Sequence, residues 1–298
     1  MRKHAWLVVG AFTLSVATAT VSTSAVGTFT TIDVPGATDI RPTGINDRGD
    51  IVGTYLDANS NFHGFLWTAK DGLTLIDVPG ARETSVFGIN DRGDIVGHYR
   101  RAGPPTGGGG VAHGFLLSGG TLTHIDVSPN IYTGPQAINA RGTIVGYYQP
   151  PSTGSHSFLR DKDGTLTTFE VGVLSNRAQG INARGAIVGI YDIPGPPPFG
   201  NRTHGFLIDK DGAFTSIDVR GALDTFVMGI NARGDIVGYY YDLSAPSTPR
   251  AFLLTNDGLA FIDVPGASDM RPLAINARGQ IVGTYRADGQ THGFLYER

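Results

Sequence analysis

Five histidines recur in one setting: His63, His113, His156, His204 and His292 each open a His-x-Phe-Leu segment, and Arg250 takes that place in the fifth of six copies. Imidazole is a common zinc ligand and a general acid–base group near neutral pH. Either role requires convergence, with several ligands within ~2.0–2.1 Å of one ion in the metal case. Equivalent positions of a repeat are dispersed instead, and a cation such as Arg250 does not replace a metal ligand. Each imidazole is therefore expected to be structural. Its partners would be the tyrosine ending the preceding segment (Tyr55 for His63) or a recurring acid after isoleucine. That acidic set is Asp33, Asp77, Asp126, Asp218 and Asp263, with Glu170 once after phenylalanine.

Six asparagines are equally periodic: Asn46, Asn90, Asn139, Asn182, Asn231 and Asn276, each in [Gly/Ala]-Ile-Asn-x-Arg-Gly-x-Ile-Val-Gly-x-Tyr. Asparagine first and glycine fourth is the residue choice of a type I turn whose last residue has positive φ. The side chain is expected to bond its own turn's backbone. One set of residues is asymmetric. Five positions before the asparagines stand Arg41, Ser85, Gly134, Arg177, Phe226 and Arg271. Of these, Arg41, Arg271 and Arg177 are candidates for holding an anionic group, since guanidinium presents a fork of donors to oxyanions. The competing reading is solvated arginines, worth little.

Other matches dissolve into turns. Arg48-Gly49-Asp50, Arg92-Gly93-Asp94 and Arg233-Gly234-Asp235 spell an adhesion tripeptide but lie inside the asparagine turn. Asp57-Ala58-Asn59-Ser60-Asn61 starts like a calcium loop, yet Phe62 and Thr68 occupy its glycine and terminal glutamate positions. Asp161-Lys162-Asp163-Gly164 and Asp209-Lys210-Asp211-Gly212 resemble aspartate boxes without the tryptophan that normally follows. No G-x-S-x-G, H-E-x-x-H or phosphate-binding loop occurs. No catalytic residues, metal or cofactor are assigned.

The elements that position these residues follow from the repeat. The asparagines are spaced by 44, 49, 43, 49 and 45 residues, the period of propellers and solenoids. In the first copy, Gly44-Ile45-Asn46 ends a strand, Ile51–Tyr55 is a second, His63–Trp67 a third and Leu73–Val78 a fourth. Four short antiparallel strands make a propeller blade. The sixth copy stops after its third strand, at Arg298, while Phe29–Val34 is a fourth-type strand without a blade. The expected fold is all-β: a six-bladed β-propeller of four-stranded blades, residues 26–298, with the N-terminal strand completing the last blade. Closure removes exposed edges. The asparagine turns then share one face. The opposite face carries loops of variable length (57–61, 100–112 and 192–203), where binding is expected.

Composition agrees. With 43 glycines in 298 residues and no three-residue period, the chain is rich in turns, and 40% hydrophobic content supplies a core. It has no cysteine, so disulfides and thiolate chemistry are excluded. A formal charge of −3 without basic runs argues against nucleic acid as a partner. Residues 1–25 read as a secretory signal: basic Met1-Arg2-Lys3-His4, an apolar stretch, then cleavage after Ala19 or Ala25. A secreted location, extracellular or periplasmic, is expected, with no integral span after cleavage.

His-Gly-Phe-Leu combined with Ile-Asn-x-Arg-Gly-x-Ile-Val-Gly resembles the bacterial extracellular HAF-repeat proteins, named for a His-Ala-Phe signature. The resemblance covers residues 29–298. Glycine usually replaces the alanine here, Ser157 does so once, and Ala251 keeps it after Arg250. It implies an exported repeat protein and carries over no catalytic residues. The expected function is a non-catalytic binding or structural module contacting a glycan or protein through the variable loops. The alternative is a carbohydrate-active hydrolase or lyase on the same scaffold.

Overall fold

Each repeat alternates β-branched or aromatic residues with glycine turns, which commits it to short antiparallel strands. The computed structural model describes residues 27–101, 110–172, 174–195, 200–263 and 267–298, so the signal-like residues 1–25 and Pro196-Pro197-Pro198 lie outside the described residues. After β1 (Thr28–Ile32) come six groups of strands. Blade 1 is β2 (Asp39–Ile45), β3 (Ile51–Leu56), β4 (Phe62–Thr68) and β5 (Gly72–Ile76). Blade 2 is β6 (Ala81–Ile89), β7 (Ile95–Arg101), β8 (Ala112–Ser118) and β9 (Thr121–Ile125). Blade 3 is β10 (Tyr132–Ile138), β11 (Ile144–Gln149), β12 (His156–Arg160) and β13 (Leu166–Phe169). Blade 4 is β14 (Ser175–Ile181), β15 (Ile187–Pro194), β16 (Asn201–Ile208) and β17 (Phe214–Ile217). Blade 5 is β18 (Ala222–Ile230), β19 (Ile236–Asp242), β20 (Ala245–Thr255) and β21 (Gly258–Ile262). Blade 6 is β22 (Ser268–Ile275), β23 (Ile281–Ala287), β24 (Gln290–Glu297) and, at its outer edge, β1.

The expected closure is present. β1 runs antiparallel to β24, with Phe29 opposite Tyr296 and Thr31 opposite Phe294. Phe29 packs on the Tyr296 ring at 4.7 Å. The innermost strands β2, β6, β10, β14, β18 and β22 each contact their two neighbours, so the sheets form a six-bladed ring.

The core lies between blades. One cluster joins Val52 and Ile76 of blade 1 to Val86, Ile95 and Phe115 of blade 2, and the same arrangement recurs around the circle. The phenylalanine of every His-x-Phe-Leu segment (Phe65, Phe115, Phe158, Phe206, Phe252, Phe294) is fully buried. Its position explains the glycine of Ile-Val-Gly: a β-carbon on Gly53 would come within 2.6 Å of the Phe65 ring. The innermost strand also bulges at the same place in every blade, between Pro42 and Gly44 in blade 1.

Two local readings change. Both ends of the loop expected over 192–203 are strand, Asp192 pairing with Thr203 and Pro194 with Asn201. The 57–61 segment is a turn organised by Asp57, whose Oδ1 accepts the backbone N–H groups of Asn59 and Asn61.

Candidate functional site

The ring has two mouths, built from opposite ends of the same inner strands. At the turn side the asparagines do more than close their own hairpins. Asn46 Oδ1 accepts the backbone N–H groups of Arg48 and Asp50 at 3.0 and 2.9 Å, while Gly49, at φ 91°, completes the turn. Asn46 Nδ2 donates across to the carbonyl of Asn90 at 3.2 Å. Asn90 donates likewise to Asn139, Asn139 to Asn182, Asn182 to Asn231, Asn231 to Asn276, and Asn276 back to Asn46. A closed circle of six side-chain-to-backbone bonds results. Arg48 reinforces it, bonding Asp50 and the Asp91 carbonyl of the next blade, which accounts for the adhesion-like tripeptide.

The histidines sit on the blades away from the channel, and four of them bond an acid of their own sheet. His63 Nδ1 lies 3.0 Å from Asp77, His113 3.1 Å from Asp126, His156 2.7 Å from Glu170 and His204 2.7 Å from Asp218. His292 lies 3.7 Å from Asp33, which follows β1, so the closing strand also supplies the sixth acid. The imidazoles stack on the expected tyrosines, Tyr55 on His63 at 5.2 Å and Tyr285 on His292 at 5.3 Å. In blade 5, where Arg250 stands opposite, Tyr240 packs on Phe261 instead.

The other mouth is not symmetric. On paired strands, opposite residues share a face. Arg41 faces Thr54, Ser85 faces His98, Gly134 faces Tyr147, Arg177 faces Ile190, Phe226 faces Tyr239 and Arg271 faces Thr284. The blades differ at these positions, and all of them lie towards the variable-loop side. Between blades 6, 1 and 5 they enclose a cavity of about 240 Å³ lined by Asp39, Arg41, Tyr239, Asp269, Arg271, Leu273, Thr284, Tyr285, Arg286 and Thr291. Arg41 and Arg271 are thus brought together; Arg177 is not part of this lining. Its guanidinium lies 5.7 Å from the Tyr147 ring centre, and its Nε donates to Ser155 Oγ at 3.2 Å.

Arg41 and Arg271 are both held by carboxylates. Residues i and i+2 of a strand point the same way, so Asp39 captures Arg41 through two bonds at 2.9 and 3.0 Å. Asp269 accepts Arg271 Nε at 2.7 Å. Asp269 adopts φ 55°, the left-handed region a non-glycine residue rarely occupies, beside an irregularity in the β22–β23 register. Arg271 also donates to the Tyr241 hydroxyl at 3.4 Å and lies over the Tyr239 ring at 5.4 Å. Burial works against its charge, but Asp269 and the two tyrosines outweigh burial and raise its pKa. Phe226 stacks flat on Tyr239, 4.7 Å away and 8° from parallel. Burial pushes the Tyr239 hydroxyl up to about 12, keeping it a donor.

Across the mouth, blades 2 and 3 form a second polar cluster. Tyr132 Oη lies 3.2 Å from both His98 Nδ1 and Tyr147 Oη. Burial, aided by Arg100, lowers the His98 pKa to about 4, and burial also raises that of Tyr132.

Asp39, Asp269 and Tyr239 were not singled out from the sequence. Asp-x-Arg-Pro occurs twice, at 39–42 and 269–272, and Tyr239 fills the variable place after Ile-Val-Gly; both signals are readable once blades 1 and 6 are neighbours. Among the described residues no group of three or more acidic or histidine side chains gathers to hold a metal ion. No described helix is long and apolar enough to cross a membrane.

No family model matches the chain, and no curated protein matches it. Solved structures do. A prolyl endopeptidase structure is 10% identical, with TM-score 0.55 over 88% of this chain and 43% of that one. A putative gluconolactonase is 14% identical, with TM-score 0.52 over 91% of this chain and 92% of that one. The β-propeller domain of the Trilobed protease from Pyrococcus furiosus is 14% identical, with TM-score 0.52 over 88% of this chain and 82% of that one. That domain is described as having an open velcro topology, whereas here β1 zips to β24. At these identities the likeness establishes the propeller fold alone.

Proposed function

We propose that this chain is an exported binding protein of the HAF-repeat type, which holds an extracellular glycan at the variable-loop mouth of its propeller and performs no chemistry on it. One observation carries the reading: the differences between blades gather at a single mouth, where Arg–Asp pairs and a tyrosine hydroxyl line one cavity. The opposite mouth has its asparagines fully used in the circle of bonds. Sugars are bound by such mixed donors and acceptors, which match hydroxyls that both give and accept hydrogen bonds.

A hydrolase or lyase is the second reading, because two carboxylates, Asp39 and Asp269, share the cavity, and carboxylate pairs perform glycoside chemistry. Each carboxylate is engaged by its own arginine, which suits a fixed binding role better than proton transfer. Screening the protein on a glycan panel, with analysis for cleaved products, separates the two. Binding without products supports the proposal; products identify an enzyme; no binding to any glycan removes both.

A further inference from the structure

We infer that the cavity at the junction of blades 6, 1 and 5 takes a single sugar residue bearing one carboxylate group; this rests on the glycan-binding reading and narrows it. The charges of the lining carry the argument. Three guanidinium groups (Arg41, Arg271, Arg286) stand against two carboxylates (Asp39, Asp269). The first two arginines are committed to the aspartates at 2.7–3.0 Å. Arg286 is exposed on β23 and, among the described residues, makes no ion pair; its Nη2 has only the Gly289 carbonyl at 3.5 Å. One positive charge is left over, matching one negative charge on a ligand.

Tyr239 is a second, independent pointer. Its ring is fixed between Phe226 and the Arg271 guanidinium, the residue lines the cavity, and its hydroxyl has no hydrogen bond to any described residue. A rigid donor directed at a cavity implies an acceptor there. The two Arg–Asp pairs add alternating donors and acceptors, since guanidinium keeps further N–H groups and carboxylate further lone pairs after pairing. Neighbouring hydroxyls of a sugar ring fit that alternation. A bare inorganic anion does not, because Asp39 and Asp269 would repel it. The volume of about 240 Å³ lies below the ~300–1,000 Å³ of pockets for larger ligands, which favours one ring over an oligosaccharide stretch.

Calorimetric titration of the full chain tests this, using methyl glucuronide and methyl galacturonide, their neutral twins methyl glucoside and methyl galactoside, and acetate. At least one uronide should bind about tenfold more tightly than its neutral twin and than acetate. Arg286→Gln should abolish that preference, bringing the uronide's affinity to within about twofold of its neutral twin's. Tyr239→Phe should weaken both members of the pair by about three- to tenfold. Equal binding of uronide and neutral twin, acetate binding as tightly as the uronide, or a preference that survives Arg286→Gln would each overturn the inference while leaving the glycan reading intact. If no methyl glycoside binds but the glycan panel gives a hit unaffected by Arg286→Gln, the inference again falls alone. A silent panel as well removes both.

Discussion

At the turn-side mouth every asparagine accepts two backbone N–H groups and passes its own N–H to the next blade, so six copies of one residue leave no asparagine amide idle. At the loop-side mouth the same strands end in arginine, serine, glycine or phenylalanine facing threonine, histidine, tyrosine or isoleucine. Repetition uses polar atoms up, because identical neighbours can satisfy one another around a circle. Departure from repetition leaves polar atoms over, and those are available to a ligand. The contrast is what supports placing the proposed ligand at the loop-side mouth.

The sharpest way to break this contrast is at the circle of asparagines. Asn182→Ala strips the side-chain acceptor from the backbone N–H groups of Arg184 and Ala186 and removes one of the two donors to the Asn231 carbonyl, which keeps the Gly234 N–H. Each buried unsatisfied group costs about 1–3 kcal/mol, and the two N–H groups left without an acceptor are part-buried, so a loss of about 2–4 kcal/mol is expected in denaturant titration. Ligand binding at the opposite mouth should persist in the folded fraction. A cost under ~1 kcal/mol would show that the circle is ornamental.

A smaller effect belongs to the loop-side mouth. His98 has its pKa lowered to about 4, whereas an exposed histidine titrates near 6.5. Between those values the unfolded chain binds the proton and the folded chain does not, so stability should fall as pH drops from about 6.5 to about 4. Each pH unit in that window is worth up to about 1.4 kcal/mol, and the partial exposure of His98 brings the expected total to roughly 2 kcal/mol. His98→Phe should flatten that part of the stability profile; an unchanged slope would assign the acid sensitivity elsewhere.

The smallest expected effect is on stability at Tyr239. Removing only its hydroxyl leaves the Phe226–Tyr239–Arg271 stack in place, so Tyr239→Phe should shift stability by less than about 0.5 kcal/mol. A large destabilisation would mean that the hydroxyl serves the fold rather than a guest.

The ring was legible in the sequence because two independent signals agree: a 43–49-residue period, and a last copy lacking the strand that the first segment carries in excess. The histidine–acid pairs were legible too, since both positions repeat in register. The second role of the asparagines was not, because a bond to the next blade's carbonyl depends on how closely neighbouring blades approach. Arg41 and Arg271 were read as neighbours, and the cavity joins them. The capture of Arg41 by Asp39 follows from the two-residue period of a strand, whereas that of Arg271 by Asp269 involves a left-handed residue at an irregular register, and the charge balance emerges only where both strands line one space. Tyr239 escaped notice because a position that varies between copies looks like noise until the copies are set around an axis.

The pairing of β1 with β24 carries a consequence for how the chain acquires its shape. β1 and β24, the first and last strands in chain order among the described residues, are hydrogen-bonding partners. Five blades can assemble as they emerge, but the sixth must wait for residues 290–297. Until then the N-terminal segment waits as a loose edge, and joining ends that far apart costs on the order of 5 kcal/mol of chain entropy. Maturation should therefore be slow and late, with the first half of the molecule ordered well before the circle locks.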